Sequence, residues 1–345
     1  MDHIKVLKRA WEIIWRYRVL WVFGIIVALT TGGGAQYSSR GQDFAPSRQL
    51  HIEEIPPEVV NTLIAIGIGL ACVIVILIVA SAVARYVAET ALIRMVDDYE
   101  ETGEQRSVRQ GFRMGWSRTA FRLFLIKLLI GLPTALVFIL LFALAAAPLL
   151  LWATKSTVAG VIGTVAAIGL FFLILFLVIV VTTVLSLLRK FFWRACALEE
   201  LGVIESIRRG FDVVRQHLKD VGIMWLIMIG VQIGWAIAMI VMTIMLLPAI
   251  ILLIIVAAVL GGLPGLLVFG LTSLFFDGVV PWILAAMVGI PIFALIVAVP
   301  WLFLGGLMEV FKSSVWTLTY RELRALESLE TQPEQLPQLD TPDLE

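Results

Sequence analysis

The stretch Val158–Leu188, VAGVIGTVAAIGLFFLILFLVIVVTTVLSLL, runs for 31 residues without one Asp, Glu, Lys or Arg. About 20 consecutive apolar residues cross the roughly 30 Å hydrocarbon core of a bilayer as an α-helix. A chain of 345 residues that is 60% hydrophobic and only 15% charged has too little polar surface to hide such stretches in a water-soluble core. Inside lipid the backbone N–H and C=O groups must satisfy one another within the segment, which selects helices here. The fold class is therefore all-α: a polytopic membrane helix bundle.

Working outward by length, six spans are expected at about 15–31, 59–84, 121–150, 158–188, 221–247 and 283–310. Between the last two the chain stays apolar, interrupted by Pro248 and by Gly261-Gly262-Leu263-Pro264-Gly265. An even number of spans makes 249–280 a re-entrant or interfacial segment rather than a seventh span. Residues 32–58 contain Gly, Ser and Pro and read as an irregular outer loop. Residues 330–345 hold three prolines, five acids and no base, which predicts a disordered acidic tail after a single membrane domain over 1–329.

The basic residues set the orientation. Residues 1–18 carry five Lys and Arg, 85–127 eight, 189–219 seven, and Lys312 onward three. The alternate segments 32–58, 151–157 and 260–282 carry two, one and none. Basic flanks stay in the cytoplasm, so this pattern predicts a cell inner (cytoplasmic) membrane protein with both termini cytoplasmic. The N-terminus also has the basic-then-apolar order of a signal peptide, but Trp11, Trp15 and Trp21 suit an interfacial helix anchored by aromatic rings.

Three of the basic segments repeat. Lys8-Arg9-Ala10-Trp11, Arg109-Gln110-Gly111-Phe112 and Arg208-Arg209-Gly210-Phe211 align, and each is followed by a span. Ser107-Val108 and Ser206-Ile207 precede the last two. The unit is an amphipathic helix plus a helical hairpin, used three times. Interfacial helices are expected at about 3–16, 106–118 and 203–219, apolar face toward lipid. In the first, Lys5, Lys8, Arg9, Glu12 and Arg16 share one face, and Ile4, Leu7, Trp11 and Ile14 another. In the third, Ser206 stands as N-cap. The stretches Arg85–Gln105 and Lys312–Leu329 continue their spans as charge-mixed helices.

The basic aromatic run Lys8–Leu20, the segment Gly202–Phe211 and the segment Ser314–Leu323 together resemble a group of bacterial multi-pass proteins. That group is labelled as the membrane domain of glycerophosphoryl diester phosphodiesterase. The resemblance implies a six-span membrane fold. In that family the catalytic part is a separate α/β barrel of about 250 residues. The longest stretch outside the spans here is about 40 residues, so the resemblance implies no phosphodiesterase activity.

No catalytic, cofactor or metal residues are expected. His3, His51 and His217 fall in separate segments, Cys72 is mid-span and Cys196 near a helix end. The Gly261–Gly265 run lacks the Lys-Ser/Thr of a phosphate loop, and Asp277 reads as a turn residue. A net charge of zero provides no basic field for nucleic acid. Two candidate sets remain. Gln232, inside the small-xxx-small pair Gly230 and Gly234, is a helix or substrate contact. Lys8, Arg9, Arg109, Arg113, Arg208 and Arg209 are lipid-headgroup contacts. The reading that follows is a non-enzymatic protein that organises membrane lipids or a protein partner at the cytoplasmic face. The alternatives are a transporter of a hydrophobic or lipid-like substrate, and a non-catalytic subunit of a larger complex.

Overall fold

The computed structural model describes residues 1–31, 57–154, 156–276 and 278–331. The expected outer loop (save its last two residues), His51, Asp277 and the acidic tail beyond Thr331 lie outside the described residues. The chain forms α1 (His3–Arg16), α2 (Leu20–Thr31), α3 (Pro57–Thr102), α4 (Val108–Gly115) and α5 (Arg118–Ala146). A 3₁₀ segment (Ala147–Thr154) follows, then α6 (Thr157–Leu198), α7 (Val203–Gln216), α8 (Leu218–Met245), α9 (Leu247–Thr272) and α10 (Val280–Thr331). There is no strand among the described residues. Six helices, α3, α5, α6, α8, α9 and α10, are long and apolar enough to cross a membrane. The protein is an all-α polytopic membrane bundle.

The membership of the six differs from expectation at two places. The expected span 15–31 is divided: α1 ends at Arg16 and α2 supplies only 12 residues. At 1.5 Å per residue that is about 18 Å, well short of the hydrocarbon core. The pair makes a seventh span only if α1 and α2 are counted as one broken element. In the other direction, the segment 249–280, expected to be re-entrant or interfacial, is mostly helix and is long and apolar enough to cross a membrane. Residues 247–272 form a single 26-residue helix. Pro248 starts this helix instead of breaking it, since the first turn needs no donor from its N–H groups. Pro264 is carried inside. Gly261 and Gly265 lie where the helix meets α10: a Cβ on Gly261 would fall 2.8 Å from the Gly289 carbonyl oxygen and 2.9 Å from the Phe293 nitrogen. The glycine run is a close helix crossing.

The chain divides into two compact units. The first comprises Met1–Tyr17, Tyr86–Ile223 and the chain from Lys312. Tyr86, Ile93, Leu123, Ile126, Phe192, Trp193 and Cys196 form one buried cluster. Ile13, Tyr17, Phe191, Trp316, Tyr320 and Leu323 are each fully buried too. The second unit comprises Arg18–Arg85 and Met224–Phe311. In it α2 meets α10 at Gly24 and Gly306, as closely as α9 meets α10. In no candidate span is more than 17% of the most apolar stretch buried, so the spans turn their apolar side chains outward, as lipid contact requires.

Candidate interfacial site

The three repeated helices are fixed at their starts by different caps. Asp2 accepts from the N–H groups of Ile4 and Lys5, both at 3.1 Å, and opens α1. Ser107 opens α4 with a reciprocal capping box: its Oγ accepts from Gln110 N–H, and Gln110 Oε1 accepts from Ser107 N–H. The equivalent Ser206 is not a cap. Here α7 starts a turn earlier because Glu205 accepts from Gly202 N–H at 3.1 Å. Ser206 is left buried inside the helix, donating to the Gly202 carbonyl at 2.6 Å.

Position by position, the repeat assigns one role to each residue. The small residue, Ala10, Gly111 or Gly210, is buried in all three helices. A Cβ on Gly210 would sit 2.6 Å from Phe192 Cδ1 and 3.0 Å from the Phe192 backbone nitrogen, so α7 lies directly on α6. The first cation, Lys8, Arg109 or Arg208, is exposed in all three. The aromatic, Trp11, Phe112 or Phe211, is exposed by 52%, 38% and 47%. One turn on come Trp15, Trp116 and Arg215, all exposed. Residues i, i+3 and i+7 form one stripe, so each helix has an outward cation–aromatic line opposite its buried small residue. Trp11 and Trp15 meet edge to face at 5.8 Å. This corrects the expected single apolar face of α1. Its apolar residues are split between an inner side, Val6, Ala10 and Ile13, and an outer side, Ile4, Trp11 and Trp15.

The two middle cations have a different task. Arg9 Nε donates to Glu100 Oε1 at 2.8 Å, and Nη1 to Glu12 at 3.3 Å. The hydrogen bond to Glu100 holds the Arg9 pKa above its ordinary value, against a smaller effect of burial. Arg209 donates to Glu327 at 2.6 Å and to Glu199 at 3.4 Å. Burial opposes its charge, yet these carboxylates more than offset it and its pKa is raised. Both are half-buried and ion-paired within the first unit. Lys8, Arg109, Arg113 and Arg208 remain exposed.

The acids that receive these cations had no place in the sequence reading. Asp97, Asp98, Glu100 and Glu101 line one end of α3. Asp97 and Glu101 pair with Arg321, Asp98 with Arg106 at 2.7 Å, and Glu100 with Arg9. Glu199, at the end of α6, accepts from Tyr320 Oη and Arg209 Nε. Tyr17 Oη donates to the Arg106 carbonyl at 3.0 Å and accepts from Arg106 N–H at 2.7 Å. Burial pushes the Tyr17 hydroxyl pKa up to about 12. The only sequence signal was the density of acids in Asp97-Asp98-Tyr99-Glu100-Glu101.

Gln232, Gly230 and Gly234 do not form the expected contact. A Cβ on either glycine would meet nothing within 4 Å. Gln232 is exposed, and its Nε2 donates to the Met228 carbonyl of its own helix at 3.2 Å. No group of three or more His, Cys, Asp or Glu that could hold a metal occurs among the described residues. Cys72 is exposed, whereas Cys196 is buried and points its Sγ at the Leu201 carbonyl. A groove of about 780 Å³ runs beside α1 and the end of α10, lined among others by Lys5, Lys8, Glu12, Leu318 and Glu322.

A family model described as "Family of unknown function (DUF7544)" matches residues 13–319. No curated protein and no solved structure matches the chain. The family description is silent on the phosphodiesterase membrane domain that the sequence resembles. With the match covering most of its length, the chain belongs to DUF7544, a family of unknown function.

Proposed function

We propose that this is a non-enzymatic membrane protein that organises lipid or a protein partner at the inner face of a bacterial cytoplasmic membrane. The observation that carries the reading is the threefold recurrence of the same outward stripe on α1, α4 and α7. Ion pairs of Arg9 and Arg209 hold α1 and α7 from behind, and α4 is held by the close approach of Gly115 to the Val87 carbonyl. Such a scaffold would serve display better than turnover, since it fixes the helices and leaves their outer sides open. The Lys and Arg pattern of the sequence puts these helices in the cytoplasm.

The test is a topology map. In a chain with Cys72 and Cys196 replaced by serine, Glu205→Cys should stay unlabelled by a membrane-impermeant maleimide in intact cells. It should react after the cells are opened. Labelling from outside would overturn the reading. Mass spectrometry of the protein extracted in native lipid discs then asks what stays bound. Stoichiometric retention of neither lipid nor protein would also overturn it.

A further inference from the structure

We infer that each of the three stripes is a binding site for the phosphate of an anionic phospholipid headgroup. The inference rests on the reading just proposed and narrows its occupant to lipid. The charge is the first argument. Each stripe opens on an exposed cation, Lys8, Arg109 or Arg208, while the neighbouring Arg9 and Arg209 are tied into the scaffold by Glu100 and by Glu327 with Glu199. The division leaves one outward cation at the same position in every repeat. On α4 the exposed Arg113 adds a second beside the stripe.

The aromatic side chains are the second argument. Trp11 with Trp15, Phe112 with Trp116, and Phe211 stand exposed a turn or two after the cation. Rings of this kind settle at headgroup depth, where an apolar body and a polar rim are both matched. A water-facing surface has no use for five exposed aromatics in one register. Chain position is the third argument. Trp15, Trp116 and Arg215 each come five residues or fewer before the helix that follows, α2 at Leu20, α5 at Arg118 and α8 at Leu218. The stripes are thereby tethered to where the chain turns into apolar helix, which is where phosphates lie. A phosphate diester accepts hydrogen bonds and pairs with Lys or Arg, and its acyl chains meet the rings.

The experiment uses the full chain in lipid nanodiscs with equal mole fractions of phosphatidylglycerol and phosphatidylethanolamine, released gently into a native mass spectrometer. Up to three phosphatidylglycerol molecules should remain per chain, in clear preference to phosphatidylethanolamine. Lys8→Gln, Arg109→Gln and Arg208→Gln should each weaken retention of one of the three phosphatidylglycerol molecules about fivefold and leave the other two, the size of effect one cation has at an anionic surface. The triple substitution should abolish the preference, and Lys8→Arg should keep it. These residues are exposed, so the unfolding midpoint of each variant should match the wild type, which separates lost binding from lost folding. Inorganic phosphate added in excess should displace nothing; displacement would make the ligand a free phosphate and overturn the lipid assignment. Equal retention of the two lipids, or unchanged retention in the triple variant, also overturns it. If the triple variant instead loses a stoichiometric protein partner with lipid retention intact, the headgroup sites are refuted and the broader function stands. Labelling of the three helices from outside the cell removes both.

Discussion

At the scale of single residues, glycine spacing gave opposite results in two helices. Gly230 and Gly234 have the spacing of a helix contact and meet nothing, whereas Gly261, which the sequence suggested was a break, touches the α10 backbone. Spacing says that a face is small; it cannot say whether a neighbour comes to it. Geometry could have warned about Gln232. At about 100° per residue it projects about 200° from Gly230, on the other side of the helix from the pair it seemed to join. Gly261→Ala should therefore lower the unfolding free energy by on the order of 1–3 kcal/mol, because backbone atoms cannot give way. Gly234→Ala should change it by less than about 0.5 kcal/mol. Denaturant midpoints of the two variants in one detergent decide the matter. Tyr17 gives a pH-dependent counterpart. Its hydroxyl holds its proton more tightly folded than unfolded, from an ordinary value of 10.0 up to about 12. The stability this contributes is fully present below about pH 10 and is lost as the pH rises through about 12. Tyr17→Phe should remove that alkaline loss. It should also weaken the fold at neutral pH by roughly 1–3 kcal/mol, since the Arg106 N–H and carbonyl lose their partner. Stability curves at pH 8 and pH 11.5 for the two proteins check both statements.

At the scale of elements, the hydrophobic period marked helices well and their ends less well. The first amphipathic helix occupies 3–16, where its pattern lies, and α7 ends three residues before the expected 219. The middle one is only 108–115, because Ser107 caps it and Trp116 closes it. The spans α3 and α10 continue as charged helix to Thr102 and Thr331, beyond any membrane. The continuations were legible as mixed charge at helical spacing. That they hold the packed core was not, since the contacts that tie the helices together join residues far apart in sequence. Arg321 reaches Asp97, Tyr320 reaches Glu199 and Arg209 reaches Glu327 across separations that no local pattern encodes. The end of α10 is therefore held to α3 and α6 by polar contacts, and Glu199 is the acceptor shared by the most partners. Glu199→Ala should strand the Tyr320 hydroxyl and weaken Arg209, at about 1–3 kcal/mol. Glu199→Gln should recover part of this by accepting from Tyr320. Trypsin should cut after Arg321 or Arg324 sooner in the alanine variant, and an unchanged digestion pattern would refute the clamp.

At the scale of the whole molecule, charge counting and packing bear on the proposed topology by separate routes. With 15–31 counted as a crossing, through α1 and α2 together, the sequence reading puts 23 of the 26 Lys and Arg on one side of the membrane. Independently, Asp220 at the start of α8 meets the N-terminal amine at 3.7 Å, and Arg209 on α7, just before α8, meets Glu327 near the end of α10 at 2.6 Å. Groups that touch lie on one side of the membrane, so the chain between the start of α8 and the end of α10 must cross it an even number of times. Three helices, α8, α9 and α10, lie on that path and each is long enough to span. One of them therefore makes no net crossing. By the repeat, α8 is the helix that follows an amphipathic segment and so leaves the inner face, as α5 does. We accordingly assign the absent crossing to α9, held against α10 by the Gly261–Gly289 contact rather than by passage through the bilayer. Length alone could not have given this result, because α9 passes every length and hydropathy test for a span. The prediction is binary at each end of α9. With Cys72 and Cys196 replaced by serine, Leu246→Cys and Ser273→Cys should both react with an impermeant maleimide from the side opposite the C-terminus. Reaction of Leu246→Cys from the C-terminal side would make α9 the span and α8 the helix without a crossing. Reaction of Ser273→Cys from that side, with Leu246→Cys still reacting from the opposite one, would make α8 and α9 the two crossings and α10 the helix without one.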